Sequence, residues 1–177
     1  MPQHLILLRG INVSGQKKIK TADLRELLSN SGFKSVQSYI QSGNIIVESA
    51  LDKTKVASKI EKLIRGKYNF DVPVIVRSKT ELKKVLKNNP YLSSSDENLK
   101  AQYVCFLSKK PSKENIEKLK EYTFDSEEFT IWGDHVYLYF PKGAGTAKMN
   151  NNFIESKLKV TASTRNWRTV NTLFDMI

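Results

Sequence analysis

The order of predicted secondary-structure elements repeats once along the chain, and this repeat restricts the fold more than any other feature. Hydrophobic patterning predicts the order βαββαβα in residues 1–91 and the same order again in residues 92–177. At an offset of 88 residues, Val72–Arg77 aligns with Val160–Arg165 and the helices that follow also align. The turn Gly43-Asn44 aligns with Gly133-Asp134 at an offset of 90. The sequence therefore predicts an internal duplication.

A βαββαβ unit is the split-βαβ, ferredoxin-like motif, in which two helices cover one face of an antiparallel sheet. We therefore predict an α+β fold of two ferredoxin-like halves, 1–91 and 92–177, each followed by an extra helix. Several strands are apolar on both faces, so the second face of each sheet must be covered too, and we expect one cooperative unit. The Gly-Asn and Gly-Asp pairs predict two-residue hairpin turns, and Thr21 is the expected N-cap of the first helix.

Positive charge is concentrated in the first half of the chain. Residues 1–91 hold 17 Lys and Arg against 7 Asp and Glu, whereas residues 92–177 hold 12 against 11. A basic half is typical of proteins that bind nucleic acid or phosphorylated metabolites, although lysines on solvated helix faces produce the same count. The expected partner is an anionic small molecule or nucleic acid, and the oligomeric state is left open.

Compartment and cofactors follow from what the composition lacks. The single cysteine, Cys105, excludes an internal disulfide and lies in an apolar strand, which favours a core position in a reducing compartment. No apolar run reaches the length of a membrane span and no signal peptide precedes the first strand, so we expect a cytoplasmic protein with no membrane partner. With only His4 and His135 and no metal-ligand spacing, we predict neither metal nor cofactor.

Three separated segments resemble one known family. LLRGINVSG near the start, then YIQSGNIIV, then TRNWRTV together resemble domain of unknown function family 1697. The resemblance runs over almost the whole chain and implies a duplicated ferredoxin-like fold, without an established reaction, substrate or cofactor. Ser14 stands where the family commonly has glycine, and Arg168 departs from the usual RNWNT.

A first candidate ligand site lies at one sheet edge of the first half. The first two strands of a split-βαβ unit run in the same direction, so their carboxyl ends meet. Arginine, asparagine and glutamine there are hydrogen-bonding groups of fixed geometry, although they can equally serve the loop backbone. The candidate residues are Arg9, Gly10, Asn12, Gln41, Ser42 and Asn44.

A second candidate site lies in the second half, where the last two strands of the unit end. A glycine-rich loop with two lysines precedes a helix whose amino end favours an anion. The alternative is that the arginine pairs with a local acid. The candidate residues are Lys142, Gly143, Gly145, Lys148, Arg165 and Asn166.

These features leave three classes of function open, and whether the protein is an enzyme stays undecided. We favour a binding module for an anionic ligand, either a phosphorylated metabolite or nucleic acid. The alternatives are a small-molecule enzyme that uses the polar loops and an interaction protein without a ligand. RNA recognition on an open sheet is disfavoured, because the aromatic residues Trp132, Tyr137 and Tyr139 fall in the neutral half.

Overall fold

The computed structural model describes residues 1–92 and 95–177 and has the predicted α+β architecture with two four-stranded antiparallel sheets. The first repeat contains, in chain order, β1 (Gln3–Leu8), α1 (Thr21–Asn30), β2 (Lys34–Tyr39), β3 (Asn44–Glu48), α2 (Lys53–Tyr68), β4 (Val74–Arg77) and α3 (Lys79–Lys87). The second contains α4 (Asp96–Lys100), β5 (Gln102–Leu107), α5 (Lys113–Lys120), β6 (Glu128–Trp132), β7 (His135–Tyr139), α6 (Asn151–Leu158), β8 (Ala162–Asn166) and α7 (Trp167–Met176). Among the elements of the described residues, the short helix α4 and a 3₁₀ turn at Ala144–Thr146 have no counterpart in the sequence prediction.

Two compact units are present, and each is organised around one sheet. The first unit comprises Met1–Lys84 together with Leu173–Ile177, and the second comprises Val85–Thr172. The helices α3 and α7 therefore each contribute residues to both units. That the halves 1–91 and 92–177 behave as one cooperative unit remains a prediction.

The first sheet has the strand order β2-β3-β1-β4, and α1 and α2 pack through a shared apolar cluster that includes one face of its strands. In α2 the buried residues Val56, Ile60 and Ile64 recur every four positions, which is the spacing of one helix face. The helix begins where the Asp52 carboxylate accepts a hydrogen bond from Lys55 N at 2.9 Å. It ends at Asn69, which adopts the left-handed conformation.

The second sheet has the equivalent order β6-β7-β5-β8, with its own apolar cluster under α5 and α6. Its register matches that of the first sheet, since Leu5 pairs with Arg77 on β4 and Val104 pairs with Arg165 on β8. Both arginines also donate to the backbone oxygen of the preceding residue, at 3.0 and 2.9 Å. The structure is thus consistent with the predicted duplication, and the equivalence of these two strands is confirmed.

The face of each sheet that points away from these apolar clusters is also buried. On the first sheet Leu5, Leu7 and Ile46 are at most 1% exposed, and on the second Val104 and Tyr137 are fully buried. The prediction that apolar strands require a covered second face is therefore confirmed.

Two local predictions in the first unit are wrong. Thr21 is the first residue of α1, and the cap position belongs to Lys20, whose side chain makes no capping hydrogen bond. The first hairpin has a four-residue loop, 40–43, because Tyr39 pairs with Asn44. Gly43 is the last residue of this loop, and its backbone oxygen accepts a hydrogen bond from Leu8 N at 2.9 Å, which ties the loop to β1.

The second hairpin has the predicted two-residue turn, since Trp132 pairs directly with His135 across Gly133-Asp134. Because Leu107 N donates to Asp134 O as Leu8 N donates to Gly43 O, the structure aligns Gly43 with Asp134. The equivalence drawn from the sequence is therefore shifted by one residue. Within the residues described, no helix is long and apolar enough to cross a membrane.

Candidate functional site

Asn12 ties the first candidate edge together through hydrogen bonds to the backbone of two loops. Its side-chain amide donates to the backbone oxygens of Ile19 and Gln41, both at 3.0 Å, and its Oδ1 accepts from Ile19 N at 2.9 Å. These three bonds close the loop 12–19 and fasten it to the β2–β3 loop. The structural alternative considered from the sequence, that Asn12 serves loop backbone, describes this arrangement.

The other polar residues of this edge are also engaged within the fold. Asn44 is 1% exposed and donates to Tyr39 O and to the Ser42 hydroxyl, at 3.2 and 2.9 Å. Arg9 is half-buried, and its backbone N–H donates to Pro73 O at 3.0 Å. Gly10 adopts a positive φ of 74°, while the Gln41 side chain is exposed. The edge is therefore a braced loop junction in which the amides of Asn12 and Asn44 are already hydrogen-bonded within the fold.

Part of the second candidate set surrounds a small cavity in the second unit. Lys142, Gly143 and Lys148 line a cavity of about 210 Å³, whose other side carries Asp125 and Glu127. The Glu127 carboxylate accepts hydrogen bonds from the backbone N–H groups of Lys148 and Met149, at 2.7 and 2.9 Å. Two backbone donors in the loop just before α6 are therefore occupied by the protein's own carboxylate. Gly145 lies in a short 3₁₀ turn and does not line the cavity.

Arg165 does not join this cavity. It is 8% exposed, and its guanidinium donates to the Ser163 hydroxyl at 2.7 Å as well as to Thr164 O. Asn166, the next residue, caps α7, because its Oδ1 accepts from Thr169 N at 2.8 Å. The structure therefore separates the six residues: three line the first cavity, Gly145 lies beside it, Arg165 is buried on β8, and Asn166 belongs to a second cavity.

This second cavity, here called the Trp167 pocket, lies at the amino end of α7 within the second unit. It has a volume of about 400 Å³. Its lining residues come from α4 and from the start of α7, namely Leu99, Lys100, Asn166, Trp167, Arg168 and Asn171. Leu99 and Trp167 supply the apolar part of the wall, and the remaining four supply polar groups.

The electrostatic character of the Trp167 pocket is positive. Lys100 and Arg168 are both exposed, and neither forms an ion pair with any side chain that the structure describes. Among the described side chains that line the pocket, none is a carboxylate. The amino end of a ten-residue helix adds a partial positive charge to the same place. The pocket can therefore hold a small anion.

At the matching position in the first unit, the start of α3, a carboxylate of the protein itself occupies a backbone N–H group. At the start of α3, Ser78 N donates to the Glu81 carboxylate at 2.8 Å, and Glu81 N donates to the Ser78 hydroxyl at 3.3 Å, which is a capping box. Lys53 also binds Glu81. Partial burial would raise the pKa of Glu81, but the hydrogen bonds from Lys53 and Ser78 outweigh it and hold that pKa below its usual value. At the offset of 88, Thr169 stands where the first unit has Glu81.

Sequence reasoning identified only Asn166 in the Trp167 pocket. Lys100 was missed because α4 was not predicted, and five residues with four polar positions give too weak a periodic signal. Trp167 and Arg168 belong to the segment TRNWRTV that carries part of the family resemblance, so this segment was the feature from which the site could have been found.

Other reactive side chains in the described residues lie inside the fold. Cys105 is fully buried, as predicted for a core residue. Tyr137 is fully buried too, its hydroxyl donates to Val85 O at 2.8 Å, and burial raises its pKa, so it offers no stacking surface for RNA. Across the described ranges, no three His, Cys, Asp or Glu residues are grouped in a way that could hold a metal ion.

Comparison with known proteins places this fold in a family. A family model described as protein of unknown function (DUF1697) matches residues 1–137. The chain belongs to this family. The match confirms the resemblance drawn from the sequence, although the TRNWRTV segment lies beyond the matched residues. No curated protein sequence matches the chain.

Among solved structures, the chain resembles the conserved bacterial protein SP0830 from Streptococcus pneumoniae. The two share 24% sequence identity with a TM-score of 0.78, over 99% of this chain and 98% of that one. At this level of identity the likeness supports the fold alone.

Proposed function

We propose that the protein is a binding module for a small anionic metabolite, held in the Trp167 pocket of the second unit. The observation that carries the proposal is the combination of a cavity with two cations, Lys100 and Arg168, that have no acidic partner among the described side chains. Arginine can bind a phosphate or carboxylate through two parallel hydrogen bonds, and lysine adds a point charge. The ligand is therefore a phosphorylated or carboxylated compound.

The size and lining of the pocket favour a metabolite over a macromolecule. A volume of about 400 Å³ falls within the roughly 300–1,000 Å³ of small-molecule sites. The apolar wall formed by Leu99 and Trp167 would contact the uncharged part of the ligand, and the Asn166 and Asn171 amides lie within the same lining. In keeping with the single cysteine, we propose that the protein works in the cytoplasm.

A thermal unfolding experiment tests the proposal directly. The wild-type protein is heated with pyrophosphate or citrate at constant ionic strength, and the shift in Tm is measured. A ligand at 100 times its Kd stabilises by about 2.7 kcal/mol, which corresponds to roughly 5–11 °C for a chain of this size. Arg168→Gln and Lys100→Gln should each reduce this shift by at least half, while leaving stability without ligand within about 0.5 kcal/mol because both side chains are exposed.

Lys142→Gln provides the matched control. Lys142 is an exposed lysine of the same unit that lines the other cavity, so its loss removes equal charge without touching the Trp167 pocket. If all three variants respond to the anions as the wild type does, the Trp167 pocket is not the binding site and the proposal fails. If the variants instead lose the response as expected, a native mass spectrometry screen of phosphorylated and carboxylated metabolites would identify the compound that binds.

A further inference from the structure

The first unit carries a row of lysines along one face of α2 that the proposed ligand site does not use. Lys55, Lys59 and Lys62 are spaced i, i+4, i+7, so their side chains lie on the same side of the helix. The whole helix contains six Lys and Arg but only one acid, Glu61. Much of the charge excess of the first half is therefore located on this one element.

The lysine row borders an open groove of about 610 Å³, here called the α2 groove. Leu51 and Leu63 are half-buried and form its apolar floor, while Thr54 and Ser58 are small, exposed residues between them. Small side chains on a helix allow a second helix to approach closely, and leucines at either end give it apolar surface to cover. The lining of the groove therefore suits another helix.

The cations around the groove are available to a partner in different degrees. Lys62 forms no ion pair with any described side chain. Lys55 bonds Asp52 at 3.1 Å, but both side chains are more than half exposed, and such pairs are weak enough to exchange partners. Lys59 is the most engaged, since its ammonium donates to Ser31 O at 2.6 Å. None of the described residues that line the groove is acidic.

The duplication provides an internal reference for these charges. The corresponding helix of the second unit, α6, also follows a hairpin and precedes the last strand of its sheet. It is anchored by Ile154 and Leu158 and carries one acid and one lysine, Glu155 and Lys157. An equivalent helix therefore folds onto its sheet without a lysine row, so the fold itself does not require the row on α2.

We infer that the α2 groove is a docking surface for an acidic amphipathic helix of a partner protein. Carboxylates on the partner would pair with Lys55 and Lys62, and its apolar residues would cover Leu51 and Leu63 across Thr54 and Ser58. Nucleic acid fits less well, because the described residues that line the groove include no aromatic side chain to stack on bases and no arginine to bind phosphate through two hydrogen bonds.

A fluorescence anisotropy experiment on the full chain tests this inference. The probe is a labelled synthetic peptide of about 20 residues, long enough to form a helix, with leucines on one face and glutamates beside them. A scrambled peptide of the same composition tests for the helical pattern, and a labelled oligouridine of similar length tests for nucleic acid. We expect the amphipathic peptide to bind and the other two to bind at least tenfold more weakly.

Two double variants locate the binding site. Lys55→Gln with Lys62→Gln should weaken peptide binding by between about 2-fold and 30-fold, as expected for two exposed ion pairs. Lys18→Gln with Lys34→Gln removes the same charge from exposed positions of the same unit outside the groove and should leave affinity within about 2-fold. Ser58→Glu should abolish binding by placing a negative charge at the centre of the groove.

Each contrary result overturns the inference. Equal binding of the scrambled peptide would show attraction by charge alone, and preferential binding of oligouridine would assign the surface to nucleic acid. Equal losses in the two double variants would show that the peptide does not use the α2 groove, and no binding of the amphipathic peptide at millimolar concentration would show that the groove is not a helix-docking surface.

Discussion

The helices α3 and α7 begin at matching positions in the two repeats but treat the positive charge of their amino ends differently. In α3 the carboxylate of Glu81 accepts hydrogen bonds from the backbone N–H of Ser78 and from the Lys53 ammonium. In α7 the cap Asn166 remains, but the acid is replaced by Thr169, and a cavity with Lys100 and Arg168 lies at the helix start. One helix start therefore has a carboxylate of the protein on a backbone N–H group, whereas the other has a neutral cap beside a cavity.

The same contrast appears on a larger scale between the sheets. Both have the same strand order and equivalent arginines, Arg77 and Arg165. The excess of lysine lies in the first repeat, whereas the Trp167 pocket lies in the second. The charge count and the pocket proposed to bind an anion therefore point to different repeats. Substitutions at matched positions can break or sharpen this comparison.

The largest effect is expected at Gly43. It has a φ of 78°, and an added Cβ would lie 2.7 Å from the Leu8 Cβ, so Gly43→Ala combines backbone strain with a clash. We expect a loss of about 3 kcal/mol in the free energy of unfolding, measured by urea titration. Gly133→Ala, in the other hairpin turn, meets no atom within 4 Å and should cost only about 1 kcal/mol. Equal losses would show that the close approach of Gly43 to β1 is unimportant.

The next effect concerns the two buried arginines. Arg165→Ala removes the hydrogen bonds to the Ser163 hydroxyl and Thr164 O and leaves space in a buried face. We expect a loss of about 2–3 kcal/mol, and a similar loss for Arg77→Ala, which is 4% exposed at the matching register position. Chemical denaturation of both variants measures this. A loss of less than 1 kcal/mol for Arg165→Ala would mean that its burial contributes little.

A smaller effect is expected at the two helix caps. Ser78→Ala and Asn166→Ala each remove one side-chain acceptor from a helix start, and each should cost about 1 kcal/mol. If the Trp167 pocket binds anions, pyrophosphate should stabilise Ser78→Ala as much as the wild type, because the pocket is intact in that variant, so its deficit relative to the wild type should not change. In Asn166→Ala the anion can accept from the N–H that the cap has released, so the deficit relative to the wild type should shrink. Urea titrations with and without pyrophosphate provide the measurement, and equal recovery in both variants would remove the distinction between the two helix starts.

The smallest effect is the pH dependence that Glu81 confers. Because the pKa of Glu81 in the folded protein lies below the usual 4.5, its stabilisation is present above about pH 4.5 and is lost as the pH falls through the lower folded value. The stability difference between wild type and Glu81→Gln should therefore shrink between about pH 6 and pH 3, as urea titrations at several pH values would measure. Asn166→Ala removes a neutral cap, so its penalty should stay constant over the same range, and a constant difference for Glu81→Gln would contradict the pKa assignment.

The fold could be predicted from sequence because its signals are local and repeated. Apolar strands such as Leu5–Leu8 and the helix spacing of Val56, Ile60 and Ile64 determine element type directly. Turn length was less predictable, since the four-residue loop at 40–43 depends on a bond between Gly43 and β1 that only the folded sheet brings together. Loop closure of this kind has no periodic signature.

The candidate sites were harder to predict because polar residues at sheet edges have two uses. Asn12 and Asn44 lie at the predicted sheet edge, but their side-chain amides donate hydrogen bonds to backbone oxygens of the protein. Glu127 was assigned to no site, yet it occupies the N–H groups of Lys148 and Met149. Which acceptor a donor meets depends on tertiary packing. Lys100 lines the Trp167 pocket because α4 places it there, and α4 is too short to be recognised from the sequence.

The helix α7 crosses from the second unit into the first, and this affects the order in which the chain can fold during synthesis. Leu173–Ile177 belong to the first unit, where Lys79 binds the backbone oxygen of Ile177 and its ammonium lies 5.3 Å from the centre of the Phe174 ring. Domains generally fold as they emerge from the ribosome, amino-terminal ones first. The first unit here is completed only by residues that are translated after the whole of the second.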